Sequence, residues 1–309
     1  VTRVAALDCG TNSIRLLVAQ SVDGDLRDVR RELRIVRLGQ GVDATGRFAE
    51  EALRRLFAAC EEYAAIIGRH RVDRLRFCAT SAARDVENRA DFVAGVRDRL
   101  GVVPEVISGE EEAGLTYGGA TWGLGSLDLR SPYLVVDIGG GSTELVLGDG
   151  HGHVDAAQSL DIGSVRMTER HLTSDPPTDA QIEAAGADID AVLDSSAVPM
   201  ARARTLVGVA GTITTVAAMV LDLPEYDSRR VHLARVGRSD VHRVTGRLLA
   251  MTTAERAALP FMHPGRADVI GGGALLLDRL LARVAATLAT PEVVVSEHDI
   301  LDGIAASLL

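Results

Sequence analysis

Apolar residues fall along this chain in two rhythms. Phe48 to Gly68, Arg89 to Leu100 and Glu110 to Trp122 repeat them at helical spacing, whereas Val4 to Leu7, Leu75 to Cys78 and Val102 to Ile107 are short runs of strand length. Strands mixed with covering helices predict an α/β domain. The second half follows the same plan. Val154 to Leu160 reads as a strand, and Thr178 with Gln181 forms a capping box that opens a helix through Leu193. Thr205 to Ala210 reads as a buried strand running into a helix that begins within Gly211 to Thr215. Helices are then expected over Ser239 to Ala250 and Ala267 to Leu288, a last strand over Val293 to Val295 and a last helix over Ile300 to Leu308. Gly123 to Pro132, rich in Gly, Ser and Pro, is the expected hinge.

One pattern occurs twice. Asp8-Cys-Gly-Thr-Asn-Ser-Ile-Arg-Leu-Leu-Val18 and Asp137-Ile-Gly-Gly-Gly-Ser-Thr-Glu-Leu-Val-Leu147 share Asp, Gly, Ser and Leu at matching offsets, 129 residues apart. Each follows an apolar run, Val4 to Leu7 or Tyr133 to Val136, and leads into another, so each predicts strand, tight turn, strand. Such a near-repeat suggests two duplicated structural units.

Composition narrows the function classes. Of 309 residues 47% are apolar and 25% charged, which suits a soluble chain of two domains. All 33 basic residues are arginines, which excludes a Walker-type P-loop, a Schiff-base enzyme and a lysine-centred kinase site. The net charge is −10, and acids outnumber arginines on both sides of residue 128, so no nucleic-acid partner is expected. Cys9, Cys60 and Cys78 lack CxxC spacing and a clustered histidine, which points away from disulfides and zinc and toward a cytoplasmic setting. Val1 to Asp8 does not resemble a signal peptide. Asp278, Arg279 and Arg283 break the C-terminal apolar stretch, so no membrane span is expected.

The hairpin tips carry the candidate chemistry. Small residues there let successive backbone N–H groups approach phosphate oxygens, with Ser and Thr hydroxyls as further donors. A carboxylate at the strand end, Asp8 or Asp137, can hold a hydrated Mg²⁺ that bridges to phosphate, with Glu144 sharing that duty. The plain alternative is a tight hairpin and nothing more. A third loop, Gly208 to Thr214, follows a buried strand and either places donors at a helix N-terminus or is an ordinary helix start. The run Ser108-Gly-Glu-Glu-Glu-Ala113 either faces solvent and supports a helix dipole, or aims one carboxylate at water that attacks phosphorus.

Together these segments resemble a known family. The set Asp8-x-Gly-Thr-Asn-Ser-x-Arg15, Ala79-Thr-Ser-Ala-x-Arg84-Asp85-x-x-Asn88, Ser108-Gly-x-Glu-Glu112-Ala, Asp137-x-Gly-Gly-Gly-Ser-Thr-Glu144, Ser159-Leu-x-x-Gly-Ser-Val-Arg166 and Gly211-Thr-Ile-Thr214 is similar to the exopolyphosphatase and guanosine pentaphosphate phosphatase family, in order over nearly the whole chain. The resemblance implies an α/β fold of duplicated actin-like ATPase (ribonuclease H-like) domains with an interdomain cleft. The domains are expected at 1–128, joined by the helix at 299–309, and at 129–298.

By the same resemblance Glu112 is the catalytic base, with Glu111 and Glu110 as weaker candidates. Asp137 and Glu144, with Asp8, match the metal acids. Thr11, Asn12, Ser13, Gly139, Gly140, Gly141, Ser142, Thr143, Gly211 and Thr212 match phosphate-binding positions, and Arg15 and Arg266 match arginines near phosphate. The expected activity is Mg²⁺-dependent release of terminal phosphate from inorganic polyphosphate, with Mn²⁺ as the alternative ion and guanosine pentaphosphate as the alternative substrate. A nucleotide-dependent kinase, an ATP-binding assembly protein and a non-catalytic sensor are the rivals. A homodimer is also implied. Two departures stand out. Ile300-Leu-Asp-Gly303 replaces the family's Leu-Arg-Glu-Gly, and the chain lacks the extra helical domains of longer relatives, which favours short polyphosphates.

Overall fold

The structure, a computed structural model, describes residues 2–22, 25–84, 86–124, 127–150 and 152–309. Val1, at the head of the first apolar run, Asp85 of the arginine-aspartate motif and Gly125 and Ser126 of the expected hinge lie outside the described residues. The chain divides into two compact units, Val1–Gly119 with Ile300–Leu309, and Ala120–Asp299.

The first unit contains β1 (Arg3–Cys9), β2 (Ser13–Val22), β3 (Asp25–Ile35), α1 (Val42–Thr45), α2 (Glu50–His70), β4 (Arg74–Ala79), α3 (Arg89–Leu100), β5 (Glu105–Val106) and α4 (Gly109–Thr121). Its sheet runs β3-β2-β1-β4-β5. The first three strands form an antiparallel meander, and β4 and β5 continue it in parallel with β1. Helix α2 forms because its apolar residues recur on one stripe: Leu53, Leu56, Cys60 and Tyr63 are all buried. Tyr63 spans from that stripe to the sheet, its hydroxyl donating to the Ile14 carbonyl at 3.0 Å. The apolar pattern gives no sign of β3. Its sequence, Asp-Leu-Arg-Asp-Val-Arg-Arg-Glu-Leu-Arg-Ile, is mostly charged because it is an edge strand, where charge discourages pairing with another chain. The strand expected over Val102 to Ile107 shortens to Glu105–Val106, since Pro104 has no N–H for the ladder.

The second unit contains β6 (Tyr133–Ile138), β7 (Thr143–Gly148), β8 (Val154–Leu160), α5 (Ser164–His171), α6 (Asp179–Asp194), β9 (Thr205–Val209), α7 (Ala210–Val220), α8 (Ser228–Val231), β10 (Arg235–Gly237), α9 (Arg238–Ala250), α10 (Thr253–Ala257), α11 (Ile270–Val284) and β11 (Glu292–Val295). Its sheet runs β10-β11-β9-β6-β7-β8. Read outward from the meander β8-β7-β6, the next strands β9 and β11 are parallel to β6, as β4 and β5 are to β1. The sequence repeat is therefore a repeat of strand order. Thr178 and Gln181 make the expected capping box at α6. Helix α11 is shorter at both ends than the helix expected over Ala267 to Leu288, and a 3₁₀ turn at Pro264–Arg266 precedes it.

The last helix, α12 (Ile300–Ala306), belongs to the first unit. Ile300, Leu301, Ile304 and Ala305 complete a core with Val4, Ala6 and Leu17 on the face of the sheet opposite α2. The Ile300-Leu-Asp-Gly303 departure from the family pattern falls here. Leu301 is a core residue, and Asp302 is paired with Arg31 of β3. Among the described residues no helix is long and apolar enough to cross a membrane.

All three cysteines are free and buried, and burial pushes the Cys60 and Cys78 thiols up to about 12 and the Cys9 thiol well above its ordinary value. Thiolate is the reactive form. Titration with Ellman's reagent at pH 8 is expected to detect no fast-reacting thiol in the native protein and all three in denaturant; rapid native labelling would contradict this packing.

Candidate active site

The two acid-led repeats form turns of the same local geometry. Gly10 N–H donates to the Ser13 carbonyl at 2.9 Å, and Gly139 N–H donates to the Ser142 carbonyl at 3.1 Å. What lies behind each turn decides which way its peptides face. In the second, the Gly139 carbonyl accepts from the Ser164 N–H and hydroxyl, the Gly140 carbonyl from the N–H groups of Val165 and Arg166, and the Gly141 carbonyl from Arg166 Nε at 2.8 Å. In a trans peptide the C=O and the following N–H point in opposite directions. The start of α5 thus holds three carbonyls and turns the amides of Gly140, Gly141 and Ser142 the other way. A β-carbon on Gly163 would lie 2.5 Å from the Gly140 oxygen, so only glycine permits this approach.

The first turn is braced by a different segment. Gly39 N–H donates to the Thr11 carbonyl at 2.8 Å, and Val36 and Arg37 N–H groups donate to the Asn12 carbonyl. The amides of Asn12 and Ser13 consequently face away from that segment. Thr11 Oγ1 is 3.2 Å from Ser81 Oγ on the turn after β4, which fixes the side chain laterally. Each unit thereby presents a row of backbone donors suited to an anion.

Seven residues beyond each leading acid the two hairpins differ. Strand register places Arg15 opposite Asp8 and Glu144 opposite Asp137. Directly opposed residues share a face of the sheet. In the first unit this gives an ion pair: Arg15 Nη2 and Nε reach Asp8 Oδ2 at 2.6 and 3.0 Å. In the second it brings together two buried carboxylates, Asp137 and Glu144. Ser159, opposite Glu144 on β8, donates its hydroxyl to Glu144 Oε1 at 2.7 Å.

The glutamate run is sorted by its position at the head of α4. Glu110 and Glu111 are exposed, and Glu111 pairs with Arg76 at 2.5 Å. Glu112 is buried and ion-paired with Arg84, whose Nε also donates to the Ile107 carbonyl at 3.2 Å. A buried carboxylate needs such a partner to offset its lost hydration. Arg84, Ser159 and Arg166 are site residues that the motifs contained but to which no role was attached. Their signal was their place inside those motifs, and their roles depend on contacts that spacing does not reveal.

The third loop brings Gly211, Thr212 and Arg266 together. Ala210 has φ 67°, a left-handed conformation that turns the chain from β9 into α7. The Arg266 guanidinium lies against Gly211, where an added β-carbon would be 2.2 Å from Cζ. Helix α11 can approach because its first turn is Gly271, Gly272 and Gly273. A β-carbon on Gly273 would lie 2.6 Å from Thr212 Oγ1, and one on Gly272 would lie 2.9 Å from the Ser164 carbonyl.

Two sheets of one strand order, each led by an acid-headed hairpin with outward amides, define the duplicated actin-like ATPase fold equipped for phosphate. Residues 17–308 match the Ppx/GppA phosphatase family, and the chain belongs to it. Exopolyphosphatase 2 of Mycobacterium tuberculosis is 51% identical over 319 residues, covering 100% of this chain and 99% of that protein. A solved exopolyphosphatase-like protein superposes with a TM-score of 0.94 at 47% identity, covering 99% of this chain and 97% of the other. A guanosine-5'-triphosphate,3'-diphosphate pyrophosphatase of Photobacterium profundum is 33% identical over 221 residues, 70% of this chain and 43% of that protein.

Gly163→Ala tests the bracing of the second turn. Forcing a methyl group against the Gly140 carbonyl is expected to cost about 1–3 kcal/mol. The urea midpoint should fall with an unchanged slope; an unaltered midpoint would show that the turn does not depend on this approach.

Proposed function

We propose that the protein is an exopolyphosphatase that releases terminal orthophosphate from short inorganic polyphosphates. The observation that carries this reading is the second hairpin, where outward amides and an opposed pair of carboxylates lie on adjoining parts of one turn. Backbone donors bind phosphate oxygens but cannot neutralise their charge alone. Two carboxylates opposed on one face repel each other and attract a cation.

The donor set suits Mg²⁺. This ion is commonly held by one or two carboxylates with water and substrate phosphate completing its shell. Among the described residues no group of three or more His, Cys, Asp or Glu gathers as a metal site, so a cage of protein ligands is not the design. Asp137 and Glu144 would hold Mg²⁺, or Mn²⁺ as the alternative, and the ion would offset charge on the phosphoryl oxygens. Ser159 orients Glu144 through its hydroxyl.

The rest of the chemistry falls to the chain's own groups. The amides of Gly140, Gly141 and Ser142, with those of Asn12 and Ser13, bind phosphate oxygens. Arg15 and Arg266 add planar donors that match them, Asp8 keeping the Arg15 fork in one orientation. Glu112 accepts a proton from the attacking water as the new oxygen–phosphorus bond forms and the bond to the bridging oxygen breaks, leaving a chain one phosphate shorter. Arg84 positions the Glu112 carboxylate and favours its charged form. A cytoplasmic setting and a homodimer complete the proposal.

Phosphate release from tripolyphosphate, guanosine pentaphosphate and ATP is the direct test. Release from tripolyphosphate should exceed the other two, and turnover of ATP alone would overturn the reading. Glu112→Gln should lower kcat by roughly 10²-fold or more while inhibitor binding by a non-hydrolysable polyphosphate analogue persists; near-normal turnover would remove Glu112 from its role.

Stability reports separately on the acid pair. Mg²⁺ is expected to raise the wild-type Tm, since an ion bound only by the folded state stabilises it by mass action. Glu144→Gln should raise the metal-free Tm, because it relieves repulsion, and abolish most of the Mg²⁺ response. An undiminished response would place the ion elsewhere.

A further inference from the structure

Helices α6, α9 and α11 of the second unit enclose a cleft of about 440 Å³, which Pro176 and Pro177 close on a further side. That volume falls in the ~300–1,000 Å³ range of small-molecule sites. Its lining includes neither hairpin, nor the Gly211 loop, nor the three glycines that open α11. Each helix contributes to it in the same way. On α6 Ile182 stands one turn from Asp179, on α9 Leu249 stands two turns from His242, and on α11 Leu275 stands one turn from Asp278. The aliphatic residues are buried or half-buried and form the floor, while Asp179 and His242 are exposed and, with Asp278, form the rim.

Two further observations say what this cleft suits. Gly246 lies on the face of α9 between His242 and Leu249 and lines the cleft. Glycine inside a helix is a poor helix former, and nothing local requires it at this position: its φ is not left-handed, and a β-carbon would meet nothing within 4 Å. What the missing side chain does is keep the cleft open. The second observation is charge. Arg279 is engaged with Asp190 of α6, as Arg283 is with Asp194 one turn further on, and these two pairs lock α6 to α11. The Asp278 side chain is 13% exposed and meets His242 Nδ1 at 2.9 Å, on a ring that stands mostly in solvent. Asp179, in the first turn of α6, adds a second carboxylate to the rim.

We propose that this cleft binds a small amine with an apolar body, the body on the floor of Ile182, Leu249 and Leu275 and the ammonium group at Asp278, with Asp179 on the same rim. An anion would meet two carboxylates while the arginine of the lining is already engaged. A neutral ligand would cover Asp278 without replacing the water it displaces, which costs free energy. An ammonium group replaces that water with a charge-assisted hydrogen bond.

Isothermal titration of the full chain with tryptamine, tryptophol and indole-3-propionate, which share a ring and differ in charge, is the experiment. Tryptamine should bind at least about tenfold tighter than indole-3-propionate, with tryptophol between them, the scale on which a single charge alters recognition of a charged partner. Asp278→Asn should weaken tryptamine about tenfold and leave tryptophol within about twofold. Gly246→Leu, which fills the cleft from α9, should abolish binding of both without lowering the Tm, because leucine is the better helix former. Should Gly246→Leu lower the Tm, the Asp278→Asn comparison decides alone. Tryptamine that fails to bind the wild type, or binds no tighter than indole-3-propionate, overturns the assignment. Tryptamine affinity unchanged in either folded variant places the amine elsewhere, the Asp137 and Glu144 pair included, and overturns it equally.

Discussion

The residue opposite the leading acid of each hairpin sets the character of its unit. In an antiparallel ladder that partner shares the acid's face and cannot turn away, so its charge is imposed on the acid. Two like charges about 4 Å apart repel by about 1 kcal/mol in water and about 4 kcal/mol at a partly buried surface. Arg15 resolves the question within the first unit, whereas Glu144 doubles the charge in the second. One duplicated frame therefore carries two electrostatic characters, decided by a single position in the repeat. A closed ion pair stiffens a loop; an opposed carboxylate pair favours cations.

Backbone direction is the second constraint, and it is imposed from behind. The second turn could not hold its amides outward by its own geometry, because its tip of three glycines has many accessible conformations, and the first turn, with Gly10, is braced in the same way. The start of α5 in one unit and the Val36–Gly39 segment in the other fix the peptides by accepting none of their freedom: each donates to the carbonyls and leaves the N–H groups on the opposite side. Two unrelated pieces of chain have arrived at one solution, which accounts for the repeat being confined to the hairpins while the bracing segments share no sequence.

The sequence was most legible where local chemistry decides structure. Both hairpins, the α6 capping box and the amphipathic α2 follow from residues close in the chain. It was least legible where the environment decides. The charged edge strand β3 has no apolar rhythm to report, and the segment that opens α5 could be quoted as a motif, Gly163-Ser-Val-Arg166, while its part in bracing the Gly139–Gly141 carbonyls depends on contacts that spacing does not reveal. Among the site residues, Asp137 and Glu144 could be named from their motif, but the contrast with Asp8 and Arg15 required the register. The burial that separates Glu112 from Glu110 and Glu111, and the contact with Arg84, depend on where β4, β5 and α4 pack.

The three glycines that open α11 lay that helix against both the Ser164 carbonyl and the Thr212 side chain. A single strut therefore buttresses the start of α5, which orients the Gly139–Gly141 turn, and the start of α7, which carries the Gly211 loop. Because the helix brings no side chain of its own to these contacts to absorb a shift, a displacement of the strut would be felt at both supports together, coupling two anion cradles as one mechanical part.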